Sequence, residues 1–280
     1  MRGAARARPY LSARGVTHLR ERLSERDLGV IRQVAELRLM SARQIQAIHF
    51  PDVEHENEAA AMRARQRVLK RLCRDGLLLP LERRIGGVRA GSAGLVLALG
   101  PVGQRVLTID GPRRRSYEPG LRFVDHTLAI AQLVVELSVA ARRGRLDVLE
   151  VQAEPCSWRQ FSGLGGRQWL RPDAFVVLGV GAYELRWFIE VDRSSESLPV
   201  VLRKCRLYAD YYRSGKEQAS GGVFPRVCWV VPDEARAARI RQAIARNTAL
   251  PERLFTVTTE LRAIATLTAI EQDTSIRERR

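Results

Sequence analysis

Three acidic residues in the second half of the chain sit where acids are costly. Asp173 opens an apolar run, Asp173-Ala174-Phe175-Val176-Val177-Leu178, directly after Pro172. Glu190 and Asp192 close another, Leu185-Arg186-Trp187-Phe188-Ile189-Glu190-Val191-Asp192. Both runs have the length and the β-branched and aromatic content of buried strands. Residues two apart on a strand share a face, so Glu190 and Asp192 project together. A carboxylate at the end of an apolar central strand needs a partner or a metal. Carboxylates converging from neighbouring strands suit Mg²⁺ or Mn²⁺, which prefer hard oxygen ligands. Such an ion would activate water and stabilise a phosphoryl transition state. The expected ligands are Asp173, Glu190 and Asp192; the competing reading pairs these acids with the nearby Arg171, Arg186 and Arg193.

A second group of residues could bind without reacting. The spacing predicts a helix from about Asn57 to Arg74, ended by Asp75-Gly76. Along it Arg63, Arg67, Lys70 and Arg74 form one stripe, while Ala60, Ala64, Val68 and Leu72 fall on a face that can pack. A helix with one packed and one cationic face can dock in a DNA groove, because cations reach phosphates and arginine can pair bidentately with guanine. The plainer alternative is a solvated charged face. Downstream, the run Leu77–Arg84 and the run Leu95–Leu99 flank a Gly-rich turn, and with Arg83, Arg84 and Arg89 around that turn they read as a β-hairpin with a basic tip.

The elements that must hold these groups follow from caps and periodicity. Ser24 opens one helix and Ser41, with Gln44 three residues on, opens another. Three helices and a hairpin make a winged helix-turn-helix over residues 23–110. Residues 1–22 read as a flexible basic arm and 111–120 as a linker. Residues 121–262 then read α-β-β-β-α-β-α-β, with 155–169 as a loop and 263–280 as a tail. The fold class expected is α+β: the winged helix-turn-helix, then an α/β domain with a mixed central sheet. His126 reads as a cap or half-buried polar residue, with contact to the acidic site as the alternative, Glu196 as an acid of a helix N-terminus, and Tyr208, Tyr211 and Tyr212 as core packing, with stacking on nucleotides as the alternative.

Composition restricts the partners. The 280 residues carry a net charge of +16, with three lysines, Lys70, Lys204 and Lys216. Residues 1–120 hold 23 Lys and Arg against 12 Asp and Glu, so the excess lies mainly in the first half. That favours double-stranded DNA as the partner over a membrane. The richest apolar window, Leu128–Ala141, is interrupted by Gln132 and Glu136, so no membrane span is expected. Four scattered cysteines without metal spacing fit reduced, mostly buried thiols and a cytoplasmic location. A homodimer on a palindromic site is open, although no heptad segment would carry it.

Pro172-Asp173 on one strand and Glu190-x-Asp192 on the next, in this element order, resemble the PD-(D/E)XK (restriction-endonuclease-like) nuclease superfamily. That pattern expects lysine where Asp192 stands. In some members the lysine sits on the following helix, and the resemblance assigns that part to Lys204. It implies a catalytic set of Asp173, Glu190, Asp192 and Lys204, with Mg or Mn as cofactor if the site is active and none otherwise. The chain also resembles the replication-relaxation family of plasmids and other mobile elements. The matching segments include Leu39-Met40-Ser41-Ala42-Arg43-Gln44-Ile45, Arg71-Leu72-Cys73-Arg74-Asp75-Gly76-Leu77-Leu78, His126-Thr127-Leu128-Ala129, Ile189-Glu190-Val191-Asp192-Arg193-Ser194-Ser195-Glu196-Ser197-Leu198 and Lys204-x-x-x-Tyr208-x-x-Tyr211-Tyr212. This resemblance implies an accessory role in replication or relaxation. Two other functions stay open: a Mg-dependent endonuclease, and an inert adaptor that docks a relaxase or replication protein.

Overall fold

Serine and asparagine caps set the helix starts of the first half. In the computed structural model, which describes residues 12–51, 54, 57–81, 94–107, 121–163, 166–270 and 276–278, the chain divides into two compact units, Met1–Leu121 and Arg122–Arg280. Helix α1 (Ala13–Glu21) begins at Ser12, whose hydroxyl accepts the Gly15 N–H at 3.2 Å, and it buries Val16. The sequence reading of an aperiodic arm through residue 22 is corrected here: one cap and one buried anchor suffice for this helix. Residues 1–11 of that arm lie outside the described residues.

Helix α2 (Glu25–Leu37) starts with a reciprocal capping box between Ser24 and Asp27, and α3 (Ala42–His49) with one between Ser41 and Gln44. Between them runs a short strand, β1 (Leu39–Ser41). Helix α4 (Glu58–Arg74) is capped by Asn57, which accepts the Ala60 N–H at 2.9 Å. At its far end Gly76 adopts φ +71°, the Gly76 N–H reaches the Cys73 carbonyl, and the Leu77 N–H reaches that of Leu72. This pair of bonds is a Schellman ending, closed by contact-prone Leu72 and Leu77, both fully buried. Strands β2 (Leu78–Pro80) and β3 (Val96–Leu99) follow, then α5 (Pro101–Leu107). The strands form an antiparallel sheet in the order β1-β3-β2. The expected two-stranded hairpin thus gains a third strand from the α2–α3 connection. Arg83, Arg84 and Arg89, and the expected linker 111–120, lie outside the described residues.

Ala61, Leu69 and Leu72 form the packed side of α4, whereas Ala64 and Val68 are only half-buried, so the packed face is rotated from the one expected. Two polar ties reinforce it. Arg71 donates to the buried Asp27 carboxylate of α2 at 2.6 Å, and Arg65 donates to Gln46 of α3 at 2.6 Å.

The unit boundary falls after the first residue of α6 (Leu121–Arg142), and the second unit continues with β4 (Asp147–Ala153), a β5 (Arg159–Gly163) and β6 (Gly166–Leu170) hairpin, β7 (Ala174–Val180) and β8 (Tyr183–Val191). Then come α7 (Leu198–Arg213), α8 (Lys216–Gly221), β9 (Arg226–Val231), α9 (Glu234–Ala245), β10 (Phe255–Thr259), α10 (Ala263–Leu267) and β11 (Ile276–Glu278). The main sheet runs β10-β9-β8-β7-β4, with β8, β9 and β10 parallel and β7 and β4 antiparallel, while β11 adds to β8. The molecule is therefore α+β with a mixed sheet, as the sequence implies.

Alternation along the strands builds two cores, one on each face of the sheet. Ala174, Val176, Leu178, Trp187 and Ile189 face Ile130, Leu133 and Leu137 of α6 and the α10 residues Ala263 and Leu267. Phe175, Val177 and Phe188 face Val201, Tyr208 and Tyr211 of α7 and Ile240 and Ile244 of α9. The expected tail is thus part of the core up to α10, and the Leu267 carbonyl accepts the Trp187 indole N–H at 3.1 Å. The expected loop 155–169 contains the β5–β6 hairpin. Residues Phe123–Arg142 are long and apolar enough to cross a membrane by length and composition alone, and half of that stretch is buried. The sheet face it covers explains those apolar residues.

Candidate acidic site and cationic helix

Asp173 and Glu190 come together because β7 and β8 are antiparallel neighbours and Ala174 pairs with Ile189. Asp173 precedes the first residue of one strand and Glu190 is next to the last of the other. Glu190 has the parity of Phe188, so it faces α7. Its carboxylate is 1% exposed. Lys204 Nζ donates to Oε2 at 2.9 Å and the Tyr208 hydroxyl donates to Oε1 at 2.6 Å. Lys204 and Tyr208 are four apart on α7, hence on one face of the helix. Asp173 is held from both sides: Oδ2 accepts the Val191 N–H at 2.7 Å, and Oδ1 lies 3.1 Å from His126 Nε2 on α6. Ser157 fixes the approach to it, donating to the Pro172 carbonyl at 2.6 Å.

Lys204 pairs with Glu190 and Glu196 and also feels the charge of Asp173. Burial, then the charge of Asp173, push the Glu190 carboxyl up to about 7 against the opposing pull of Lys204 and Tyr208. Burial alone would lower the Lys204 ammonium, but Glu190, Asp173 and Glu196 outweigh it and hold it above the ordinary lysine range. Lys204 is therefore a permanent cation. Burial and Glu190 raise Tyr208 well above the usual phenol range, so it remains a donor. Burial would lower His126, but the hydrogen bond and charge of Asp173 raise it overall.

Asp192 takes a different partner. It is buried beside Glu190, yet its Oδ2 accepts Arg236 Nε at 2.6 Å, and Arg236 Nη2 lies 2.6 Å from the same oxygen. Arg236 also donates to the Glu196 carbonyl at 2.6 Å. The other oxygen of Asp192 and Glu196 Oε2 are buried without a hydrogen-bond partner. Glu196, expected as a helix-start acid, instead lies 2.9 Å from Lys204. The structure thus gathers Asp173, Glu190 and Lys204, and it ties Asp192 to a helix. Among the described residues no three His, Cys, Asp or Glu side chains form a metal-binding group. The nearby arginines Arg171, Arg186 and Arg193 do not pair with the three acids: Arg186 pairs with Glu184, Arg193 with Glu260, and Arg171 stacks on Trp158.

Sequence reasoning allowed His126 a contact with the site but favoured a cap, read Tyr208 as core packing, and missed Arg236. Each lies on a helix and reaches an acid in or beside a strand 47, 18 or 44 positions away. The isolated lysine among arginines was the one signal that pointed across such a gap.

In the first unit the four stripe residues of α4, Arg63, Arg67, Lys70 and Arg74, are all exposed. Arg74 donates to Asp75 at 2.9 Å. Among the described residues Arg63, Arg67 and Lys70 have no carboxylate partner. None of the four cysteines forms a disulfide; Cys205 and Cys228 are buried, and burial pushes both up to about 12, while Cys73 is half-buried and Cys156 exposed.

A family model described as replication-relaxation matches residues 31–227, more than half of the chain. The match takes in α4, Asp173, Glu190, Asp192 and Lys204, and it ends before Arg236. No curated protein and no solved structure matches the chain.

Proposed function

The chain belongs to the replication-relaxation family, and on that premise we propose that it is a DNA-binding accessory protein for replication or relaxation of a plasmid or other mobile element. The first unit acts as a winged helix whose α4 docks on duplex DNA. The observation that carries this reading is the stripe of Arg63, Arg67, Lys70 and Arg74, exposed along one side of a helix whose other side is packed. Arg63, Arg67 and Lys70, without carboxylate partners among the described residues, are available to phosphates, and their binding releases condensed counterions. Arg65 and Arg71, spent on Gln46 and Asp27, set the roll of the helix and not its contacts. The test is the affinity of the full protein for duplex DNA as salt rises. Affinity should fall steeply and linearly on logarithmic axes; failure to bind any duplex at low salt would end the proposal.

A second reading is favoured by the acidic site: metal-dependent cleavage of a phosphodiester. Mg²⁺ characteristically keeps several waters and takes one or two protein carboxylates plus substrate phosphate. Asp173 and Glu190, two carboxylates brought together at the adjoining ends of β7 and β8, fit that demand. They would hold Mg²⁺ or Mn²⁺, and the ion would supply an activated water. Lys204, a fixed cation beside Glu190, stabilises negative charge on the phosphate. Tyr208 and His126 orient the two carboxylates, and Arg236 with Asp192 fixes the turn after β8. Supercoiled DNA incubated with Mg²⁺ or Mn²⁺ should be nicked by the wild type and not by Asp173→Ala or Glu190→Ala. Intact DNA in every lane would leave the adaptor role, in which this domain docks a relaxase or replication protein.

A further inference from the structure

The outer face of the β5–β6 hairpin carries the groups that grip an unpaired strand, and we propose that it binds single-stranded DNA and leads it to the Asp173–Glu190 site. Residues alternate along β6: Gln168 and Leu170 turn inward, while Arg167 and Trp169 are exposed. Arg171, also exposed, continues the series two residues on and lies 4.7 Å over the Trp158 ring. Trp169 is 46% exposed, and in sequence it stands between Arg167 and Arg171. Across β5, its partner is Gln160 and that of Arg167 is Ser162.

Beside this face lies a cleft of about 400 Å³ lined by Gln160, Phe161, Ser162, Arg167, Ser214 and Lys216. Its lining holds two cations, two hydroxyls and no acid. Lys216 Nζ donates to the Gln160 carbonyl at 2.6 Å, which fixes the ammonium at the cleft without neutralising it. Glu217, the adjacent acid, is buried and occupied by the Tyr211 hydroxyl and by Arg159 at 3.5 Å. The cleft therefore suits phosphate, and the open indole suits a base.

An indole can stack on a base only where the base is unpaired, since duplex bases present their faces to one another. That selects single-stranded DNA over duplex. A protein partner is disfavoured because the surface around Trp169 is cationic and hydroxylic, not apolar. Trp169 is four residues from Asp173, so the two are within about 14 Å along the chain. The delivery step rests on the cleavage reading of the acidic site; the binding step does not.

The full-length protein is titrated against a fluorescent oligothymidine of about 20 nucleotides and, separately, a duplex of the same length, read by anisotropy. Trp169→Ala should weaken oligothymidine binding about tenfold or more. Trp169→Phe should restore most of it, and the Arg167→Ala, Lys216→Ala double variant should also bind weakly. Duplex affinity should stay unchanged in all three. Wild-type strength of oligothymidine binding by both Trp169→Ala and the double variant overturns the proposal, as does a wild type that does not bind oligothymidine. Loss of oligothymidine binding only in α4 variants likewise overturns it. Absence of duplex binding in a wild type that holds oligothymidine would instead defeat the α4 reading and leave the hairpin assignment standing.

Discussion

Glu190 shares its burial with Asp173 and is countered by one ammonium, so its charge state feeds directly into stability. Its folded pKa, about 7, lies above the ordinary 4.5, so the folded state keeps this proton longer than the unfolded chain. The contribution is complete below the unfolded value and is lost as pH rises through about 7. Glu190→Gln cannot titrate. Its melting temperature relative to metal-free wild type should therefore increase between about pH 5 and pH 8, as thermal denaturation would read. A pH-independent difference would show that Glu190 carries no such shift. Arg236 behaves oppositely: Arg236→Met would strand the buried Asp192 charge, and should cost about 3–5 kcal/mol in a denaturant titration. The acids were legible in the sequence because charge in an apolar strand needs a reason. Of their partners His126 was legible only as an alternative, and Tyr208 and Arg236 meet them only after the helices pack.

At the scale of elements, capped segments could be read directly. Ser24, Ser41 and Gly76 each occupy the position their chemistry implies, since a capping side chain or a left-handed backbone is a local requirement. Gly76→Ala should lower stability by about 1–2 kcal/mol in the same titration. The left-handed φ is unfavourable for a side chain, and the added Cβ would also meet Val102 Cγ2 at 3.1 Å. Elements stabilised by distant contacts were harder to read. Strand β1 is three residues long and exists through its pairing with β3. The β5–β6 hairpin resembles a loop because glycines bound its tip, and α10 looks like tail because its few apolar residues find their partner in Trp187. The packed face of α4 was misplaced by a part-turn because alanine marks an inward face weakly, whereas Leu69 and Leu72 fill it.

For the molecule as a whole, the more basic half carries the cationic helix, and the matched region reaches into both units. If the acidic site takes a divalent cation, Mg²⁺ or Mn²⁺ should raise the melting temperature of the wild type and leave Asp173→Ala unmoved, a shift set by occupancy over dissociation constant. The α4 contact is tested most directly by duplex affinity measured against salt for the wild type and for a triple variant, Arg63→Ala, Arg67→Ala, Lys70→Ala. Each lost phosphate contact lowers the logarithmic salt slope by about 0.9. A slope reduced by about 2–3, with weaker binding at every salt concentration, is the result the α4 interface predicts. Equal slopes and equal affinities in the two proteins would contradict it.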